Sequence, residues 1–268
     1  GRVDKSNLLK NAVFSPRGNV RIGLTKSLNL RAGISTGFRA PQVFDEDLHV
    51  SSVGGSVLLI QRAANLKHES SRSFSVALDY TSIVQGNPFQ MGASFFWTRL
   101  DDVFLLRETQ NEIDGNRIFE RTNGPGSRFR GVEANMSIAA ASWLRLRGGW
   151  TFQQARYDRP EPVFGSLRYF RTPNSYGFGG ADFDLPWKVQ WINTLDFTGP
   201  MQVQHFAGYI STDRIDFSPW FQVWNTVLSR EFPLGRTHGD HDHRKLRVYV
   251  RGTNLTNSFQ RSFDQGPL

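Results

Sequence analysis

The densest group of chemically active side chains is the segment HGDHDH at residues 238–243. Imidazole nitrogens bind zinc, copper and nickel, which makes His238, His241 and His243 candidate metal ligands. A metal site also needs fixed geometry and supporting hydrogen bonds, whereas a charged connection between strands is usually solvated. The solvated connection is the favoured interpretation, and we expect no resident metal and no other cofactor.

A second group of side chains suits ligand binding rather than catalysis. Two long polar segments, residues 38–66 and 158–173, carry aromatic rings and arginines. Rings offer large contact areas, and arginine binds anions with two parallel hydrogen bonds. The alternative is ordinary loop packing, and the sequence leaves both open. The candidate substrate contacts are Phe44, Arg168, Tyr169, Phe170 and Arg171.

Other function classes find little support. The chain has no nucleophile motif, no phosphate-binding glycine loop and no catalytic histidine spacing, so we expect that it is not an enzyme. Its net charge is +8, but the arginines are scattered singly, which argues against nucleic acid as a partner. The absence of cysteine excludes disulfides and thiolate metal sites and is compatible with a bacterial cell envelope.

The strongest pattern in the chain is alternation of apolar and polar residues. From Leu28 to Ser35 it is strict, which is typical of a strand with one apolar and one polar face. Residues 108–116 and 211–219 are predicted to be polar loops, and no segment has helical periodicity. About ten strands are predicted, at residues 19–25, 28–38, 71–82, 89–100, 128–139, 143–157, 175–184, 187–197, 221–231 and 246–254.

Alternation alone does not distinguish a soluble sheet from a membrane barrel, but three features favour the barrel. The predicted strands have about ten residues, the length that a tilted membrane strand needs. Short turns alternate with long loops. Aromatic residues near strand ends, namely Trp97, Trp143, Tyr157, Trp187 and Trp220, are placed as an interfacial belt would require. The predicted fold is all-β: an up-and-down antiparallel transmembrane β-barrel, with about ten strands of a larger barrel.

In a membrane barrel the apolar face contacts lipid and the polar face lines a hydrated lumen. Long polar side chains on the polar faces of the predicted strands are therefore candidate lumen-lining groups. They are Arg31, Arg145, Arg147, Gln153, Lys188, Arg247 and Arg251.

Two consecutive segments resemble a known family. Residues 37–50, GFRAPQVFDEDLHV, are followed by residues 65–80, NLKHESSRSFSVALDY. A strand ending in GFRAP, a long loop and a Leu-x-x-Glu-x-Ser segment resemble the barrel domain of TonB-dependent outer-membrane receptors, most closely those of the Bacteroidetes type. The resemblance is strongest over residues 37–81.

The resemblance implies uptake of a scarce, bulky nutrient such as a siderophore, cobalamin or glycan across the outer membrane of a Gram-negative bacterium. It implies as partners the outer-membrane lipid, the N-terminal barrel half and plug, TonB acting through that plug, and an unknown nutrient ligand. We expect residues 1–268 to be the C-terminal portion of the barrel, with the plug absent. The alternatives are a smaller passive porin or adhesin-type barrel and a soluble all-β binding module.

Overall fold

The computed structural model describes residues 1–5, 9, 11–41, 59–113, 116–162, 164–205, 211–234 and 245–259. Among them no helix has the length and apolar character needed to cross a membrane. The strands in chain order are β1 (Arg2–Asp4), β2 (Val13–Ser15), β3 (Arg17–Gly23), β4 (Leu28–Arg39), β5 (Leu59–Arg62), β6 (Glu69–Val84), β7 (Asn87–Asp101), β8 (Phe104–Ile113), β9 (Asn116–Asn123), β10 (Ser127–Ala141), β11 (Leu144–Tyr157), β12 (Ser175–Leu185), β13 (Val189–Thr198), β14 (Gln202–His205), β15 (Arg214–Phe217), β16 (Phe221–Pro233) and β17 (Lys245–Gly252).

Ten of these strands form one antiparallel sheet, in the order β17-β16-β13-β12-β11-β10-β7-β6-β4-β3. They are the ten strands that alternation predicts. Strand β6 has 16 residues and β7 has 15, well above the ~5–6 residues usual in soluble sheets. In the described residues, β3 and β17 stand at the two ends of the sheet and do not pair with each other. The predicted all-β, up-and-down antiparallel arrangement is confirmed.

The connections divide the sheet into a turn end and a loop end. Two-residue turns join β6 to β7 and β10 to β11, and a single 3₁₀ turn, Pro186–Lys188, joins β12 to β13. At the first of these turns, Gln85 and Gly86 both have positive φ, which matches the right-handed twist of a hairpin. The connections after β4, β7, β11 and β13 are long, and all lie at the opposite end of the sheet.

Two segments predicted to be loops contain strands. Residues 108–116 belong to the hairpin of β8 and β9, on which β5 adds in parallel. Within residues 211–219, β15 pairs with β14, so the segment after Gly199 does not continue β13. Both predictions were wrong because neither segment shows a sustained period of two: β14 and β15 have only four residues each, and apolar and polar residues are mixed irregularly along β8 and β9. They form small sheets at the loop end.

Register divides the large sheet into two chemically different faces, because opposed residues in antiparallel neighbours point the same way. One face, called the apolar face here, carries large hydrophobic side chains that are exposed. The other, called the polar face, carries most of the charged residues. Exposed members of the apolar face are Val20, Ile34, Phe74, Met91, Phe95, Val132, Met136, Phe152, Trp224, Leu228 and Val250.

The buried apolar residues of the described chain lie mostly at the loop end rather than inside the sheet. A soluble protein buries its hydrophobic residues and rarely leaves so large an apolar surface in contact with water. The exposed apolar face is therefore suited to contact with the hydrocarbon chains of lipid rather than with water. The buried apolar set is Ala63, Leu66, Val103, Ile118, Ala155, Tyr157, Phe170, Met201 and Val203.

Close packing around one glycine of the polar face, Gly131, leaves no room for a larger side chain. A Cβ added at Gly131 would lie 2.4 Å from the carbonyl oxygen of Phe152 and 2.6 Å from Cζ of Phe96. Because one of these atoms is backbone, Gly131→Val is expected to destabilise the barrel by about 1–3 kcal/mol through overpacking. Gly179, on the apolar face, has nothing within 4 Å of its added Cβ, so Gly179→Val is the control and should be neutral or stabilising. Denaturant unfolding of the protein in lipid vesicles measures both, and equal losses would contradict the packing argument.

Candidate substrate-facing surface

The structure brings six of the seven predicted lumen-lining residues to one face of the sheet. Following the register from β4 through β6, β7, β10, β11, β12, β13 and β16 to β17 gives the same face for all six. Lys188 is different: it lies in the turn Pro186–Lys188 with a positive φ of 58°, not on a strand face. The residues on the polar face are Arg31, Arg145, Arg147, Gln153, Arg247 and Arg251.

Three of the predicted arginines of the polar face pair with acids on neighbouring strands. Arg31 forms a two-point ion pair with Asp79, and Nη2 of Arg147 lies 3.2 Å from Oδ1 of Asp182. Arg247 donates to Gln190 and lies 3.9 Å from Glu231. Cross-strand pairs of opposite charge stabilise a sheet modestly and hold the side chains flat against it.

Two of the six predicted residues on this face are arginines available for other partners. The side chains of Arg145 and Arg251 are exposed and make no hydrogen bond or ion pair within the described residues. An arginine without a protein partner keeps all five donors for an anion or for water. These two positions are therefore the better candidates for direct contact with a passing ligand.

The two motifs of the resemblance meet at the loop end of the polar face. Arg39, of GFRAP, stands directly opposite Glu69, of the Leu-x-x-Glu-x-Ser segment, in the register of β4 and β6. Oε2 of Glu69 accepts a hydrogen bond of 3.1 Å from the backbone N–H of Phe104, where β8 begins. The guanidinium groups of Arg39 and Arg121 each lie 5.6 Å from the centre of the Phe104 ring. The motifs thus connect β4, β6 and the β8–β9 hairpin.

This loop-base cluster has its own electrostatics. Arg121 is buried, and burial lowers the pKa of its guanidinium, while the carboxylate of Glu69 acts in the opposite direction. The guanidinium stays charged at every physiological pH, because the ordinary pKa of arginine lies far above that range. Glu69 therefore supplies the negative charge that a buried cation requires. Sequence analysis did not single out Arg121 or Phe104, because nothing in their spacing brings them to this place.

The segment between β11 and β12 folds back on the end of β11. The N–H of Tyr157 donates to the carbonyl of Leu167 at 2.9 Å, and the N–H of Tyr169 donates to the carbonyl of Ala155 at 3.1 Å. Residues 167–169 thus extend the sheet beyond β12. Ser166 also binds the amide oxygen of Gln202 at 2.7 Å, which joins this loop to the β14–β15 hairpin.

Aromatic rings hold this loop in place. The ring centre of Tyr169 lies 4.9 Å from that of Phe129 and 4.7 Å from that of Tyr157, and Phe170 packs on Phe164 at 5.7 Å. The side chain of Phe170 is buried, with 7% of its surface exposed. Burial raises the pKa of the Tyr169 phenol; the charge of Glu69 adds to this shift and that of Arg39 opposes it. Tyr169 is therefore a neutral hydroxyl at physiological pH.

The remaining predicted residues divide into three groups. Arg168 and Arg171 are exposed, and Arg168 lies over the ring of Phe217 at 5.8 Å. Tyr157 does not belong to the interfacial belt, because it points to the polar face and is 6% exposed. Phe44 and His238, His241 and His243 lie outside the described residues. Within the described residues, no group of three or more histidines and acids is arranged to hold a metal.

These features together define a class of protein. Ten long antiparallel strands with an exposed apolar face, a charged polar face, short turns at one end and structured loops at the other are the wall of a transmembrane β-barrel. The sequence matches the family described as TonB dependent receptor-like, beta-barrel over residues 1–255. The chain belongs to this family.

Solved structures agree on the fold. The chain resembles the ferric-catecholate import receptor Fiu of E. coli K12, with a TM-score of 0.62, 15% identity and coverage of 94% of this chain and 32% of that one. The siderophore receptor PirA of Pseudomonas aeruginosa gives a TM-score of 0.66 at 13% identity, with coverage of 97% of this chain and 42% of that one. The copper transporter OprC gives a TM-score of 0.62 at 14% identity, with coverage of 96% of this chain and 36% of that one. The chain spans about a third to two fifths of each, and no curated protein sequence matches it.

Proposed function

We propose that this chain is the C-terminal portion of the barrel of a TonB-dependent transporter that imports a scarce, bulky nutrient across the outer membrane of a Gram-negative bacterium. In this proposal the chain supplies barrel wall, lumen lining and extracellular loops. An N-terminal barrel half pairs with the end strands, and a plug connects the barrel to TonB. The observation that carries the proposal is the division of one ten-stranded sheet into an exposed apolar face and a charged polar face.

The polar face is the proposed lumen. Arg31, Arg147 and Arg247 pair with acids on neighbouring strands and other arginines do not, so the face offers a polar, hydrated wall with several available cations rather than one strong binding site. Arg145 and Arg251 are the proposed contacts for an anionic ligand, since both lack partners in the described part of the chain. Arg168 and Arg171, exposed on the loop after β11, are proposed to contact the ligand at the entrance.

Ferric siderophore complexes are the substrate class that we propose. Two of the similar structures are named for ferric-catecholate and siderophore uptake, and one is a copper transporter. Ferric siderophore complexes are bulky and often anionic, which suits arginines on a polar wall. At 13–15% identity the likeness of these structures concerns the fold alone. The proposed substrate class therefore rests on the chemistry of the arginines.

The alternatives fit the observations less well. A soluble binding module would leave the apolar face in water, which is costly for a surface of this size. A complete passive barrel of 10–12 strands requires its end strands to pair, whereas β3 and β17 do not pair with each other in the described chain. An open sheet edge is not tolerated in lipid, so further strands are required.

The test uses the full-length receptor and does not depend on knowing the substrate. Outer-membrane fractionation with heated and unheated gel migration shows whether a folded barrel forms, and a binding assay with the purified periplasmic domain of TonB tests the energy link. The proposal expects an outer-membrane protein with shifted unheated migration that binds TonB. A barrel that does not bind TonB would overturn it in favour of the passive barrel, and a water-soluble product would overturn both.

A further inference from the structure

Four arginines stand in a row across neighbouring strands on the apolar side of the sheet. Arg72 is directly opposite Arg99, Arg99 opposite Arg128, and Arg128 opposite Arg156, on β6, β7, β10 and β11. A fifth, Arg130, lies one step below Arg128 on the same face. Like charges placed opposite each other destabilise a sheet unless something compensates them. This row therefore needs negative partners.

Two aspartates compensate part of the row. Asp101 lies 2.7 Å from both Arg72 and Arg99, and Asp158 lies 2.7 Å from Arg128 and 3.1 Å from Arg99. They balance the side of the row near β6 and β7. Five arginines against two acids leave this patch with an excess of positive charge.

The uncompensated charge is concentrated at one cavity. A cavity of about 320 Å³ opens at this level of the sheet, and its lining includes Trp97, Arg128, Arg130, Gln154, Arg156 and Asp158. Arg130 donates to the amide oxygen of Gln154, a neutral partner, at 2.7 and 3.1 Å. The side chain of Arg156 is exposed and makes no hydrogen bond or ion pair with any described residue. The cavity thus presents two guanidinium groups that have no carboxylate partner, while its one carboxylate, Asp158, pairs with Arg128 and Arg99.

The position of this cavity along the strands is informative. The register places Trp97 opposite Arg130, and the next residues toward the turn end on this face are Phe95, Val132 and Phe152, all exposed hydrophobics. Two residues of a strand span about 7 Å. The arginines therefore begin within one step of the apolar surface, at the loop end, where the membrane interface of a barrel lies.

We propose that this cavity binds the phosphate of a lipid headgroup in the leaflet on the loop side, with Arg130 and Arg156 as the direct ligands. The proposal rests on the membrane placement proposed above. Arginine forms bidentate hydrogen bonds with phosphate, and its long stem lies along apolar surface while the charged group reaches the interface. Trp97, level with Arg130 and one step from the exposed hydrophobic residues of the apolar face, is placed to contact the acyl-chain end of the headgroup.

The geometry separates this site from the proposed substrate path. Arg130 and Arg156 point to the apolar face, and the proposed substrate contacts Arg145 and Arg251 point to the polar face. A ligand in the lumen does not reach the cavity through a continuous sheet. Substrate uptake and lipid binding are therefore expected to respond to different substitutions.

The experiment is native mass spectrometry of the full-length receptor in non-ionic detergent. The probe is diphosphorylated lipid A, compared with the same lipid without its phosphates, and inorganic phosphate serves as a competitor. The variant is the double substitution Arg130→Gln and Arg156→Gln, neither of which loses a charged partner. The control is Arg230→Gln, an exposed arginine on the apolar face at the turn end, where its guanidinium lies 4.8 Å from the ring centre of Phe232.

We expect the wild-type receptor and the Arg230 variant to bind the phosphorylated lipid equally, and the double variant to bind it at least about tenfold more weakly. The dephosphorylated lipid should bind all three proteins equally weakly. Equal binding of the phosphorylated lipid by wild type and the double variant would overturn the site. Complete competition by millimolar phosphate would overturn the lipid assignment in favour of a free anion.

The membrane proposal is checked on the same samples. Heat-dependent gel migration and TonB binding report the barrel and its energy link without reference to lipid. If they fail in the wild type, the proposed function fails. If they hold while lipid binding is unchanged in the double variant, only the present inference fails.

Discussion

Replacing Met136 by arginine is expected to lower the free energy of unfolding of the membrane-inserted receptor by about 2–4 kcal/mol. Met136 lies on the apolar face of β10, 45% exposed, and stands opposite Met91 on β7. Val132 and Ile138 flank it on the same face, which places it near the middle of the apolar stretch. A guanidinium there would leave water for hydrocarbon with no acid beside it.

The adjacent residue provides a matched control. Asn135 is also exposed, but it points to the polar face, opposite Gly149 and Gly92. Asn135→Arg adds the same group to a hydrated wall and should change stability by less than about 1 kcal/mol. Denaturant titration in lipid vesicles measures both variants. Similar losses for the two variants would contradict the assignment of the two faces. A larger loss for Asn135→Arg would mean that the lipid-facing and lumen-facing sides have been exchanged.

Truncation of Phe170 to alanine is expected to release the loop between β11 and β12. Its ring is buried against Phe164 and Tyr157, with centre distances of 5.7 and 6.2 Å. Removing a buried phenylalanine costs about 3–5 kcal/mol when the site does not collapse. A surface loop opens with a free energy below that of global unfolding, so this loss should abolish most hydrogen-exchange protection of residues 164–172.

The strands should respond much less to this change. Their hydrogen bonds do not depend on the loop, so the unfolding midpoint of the barrel is expected to shift little. Arg159→Ala truncates an exposed side chain at the start of the same loop and should leave protection unchanged. Retained protection in Phe170→Ala would show that the backbone bonds of Tyr157 and Tyr169 hold the loop without the ring cluster.

The result also bears on ligand binding. If the loop opens in Phe170→Ala and uptake falls, the aromatic cluster acts by positioning Arg168 and Arg171 rather than by direct contact. If uptake falls while the loop stays protected, a direct role of the ring is favoured. The burial of Phe170 makes the first outcome the expected one.

The alternating sequence determined the ten strands of the large sheet and the position of the short turns. Side chains of a strand point alternately to two faces, so a sheet with one lipid face must alternate in sequence. Six of seven lumen candidates fell on one face for the same reason. Lys188 failed because Pro186 begins a turn whose positive φ angles take Lys188 out of the strand.

The sequence did not determine the contacts between segments that lie far apart in the chain. Strands β8, β9, β14 and β15 lie outside the large sheet, and they are too short or too mixed in polarity to show a sustained period of two. Tyr157 looked like an interfacial aromatic, but the loop that covers it is defined only by folding. The position of an aromatic residue near a strand end does not say which face it joins.

The same limit applies to the cluster around Arg39 and Glu69 and to the proposed lipid site. Arg39 and Glu69 are thirty residues apart in sequence, and only the register of β4 and β6 places them opposite each other. Arg72, Arg99, Arg128 and Arg156 are scattered in sequence, yet three strand pairings align them in one row. Alternation decides which face a side chain joins, but only the hydrogen-bond register decides its neighbours, and binding depends on neighbours.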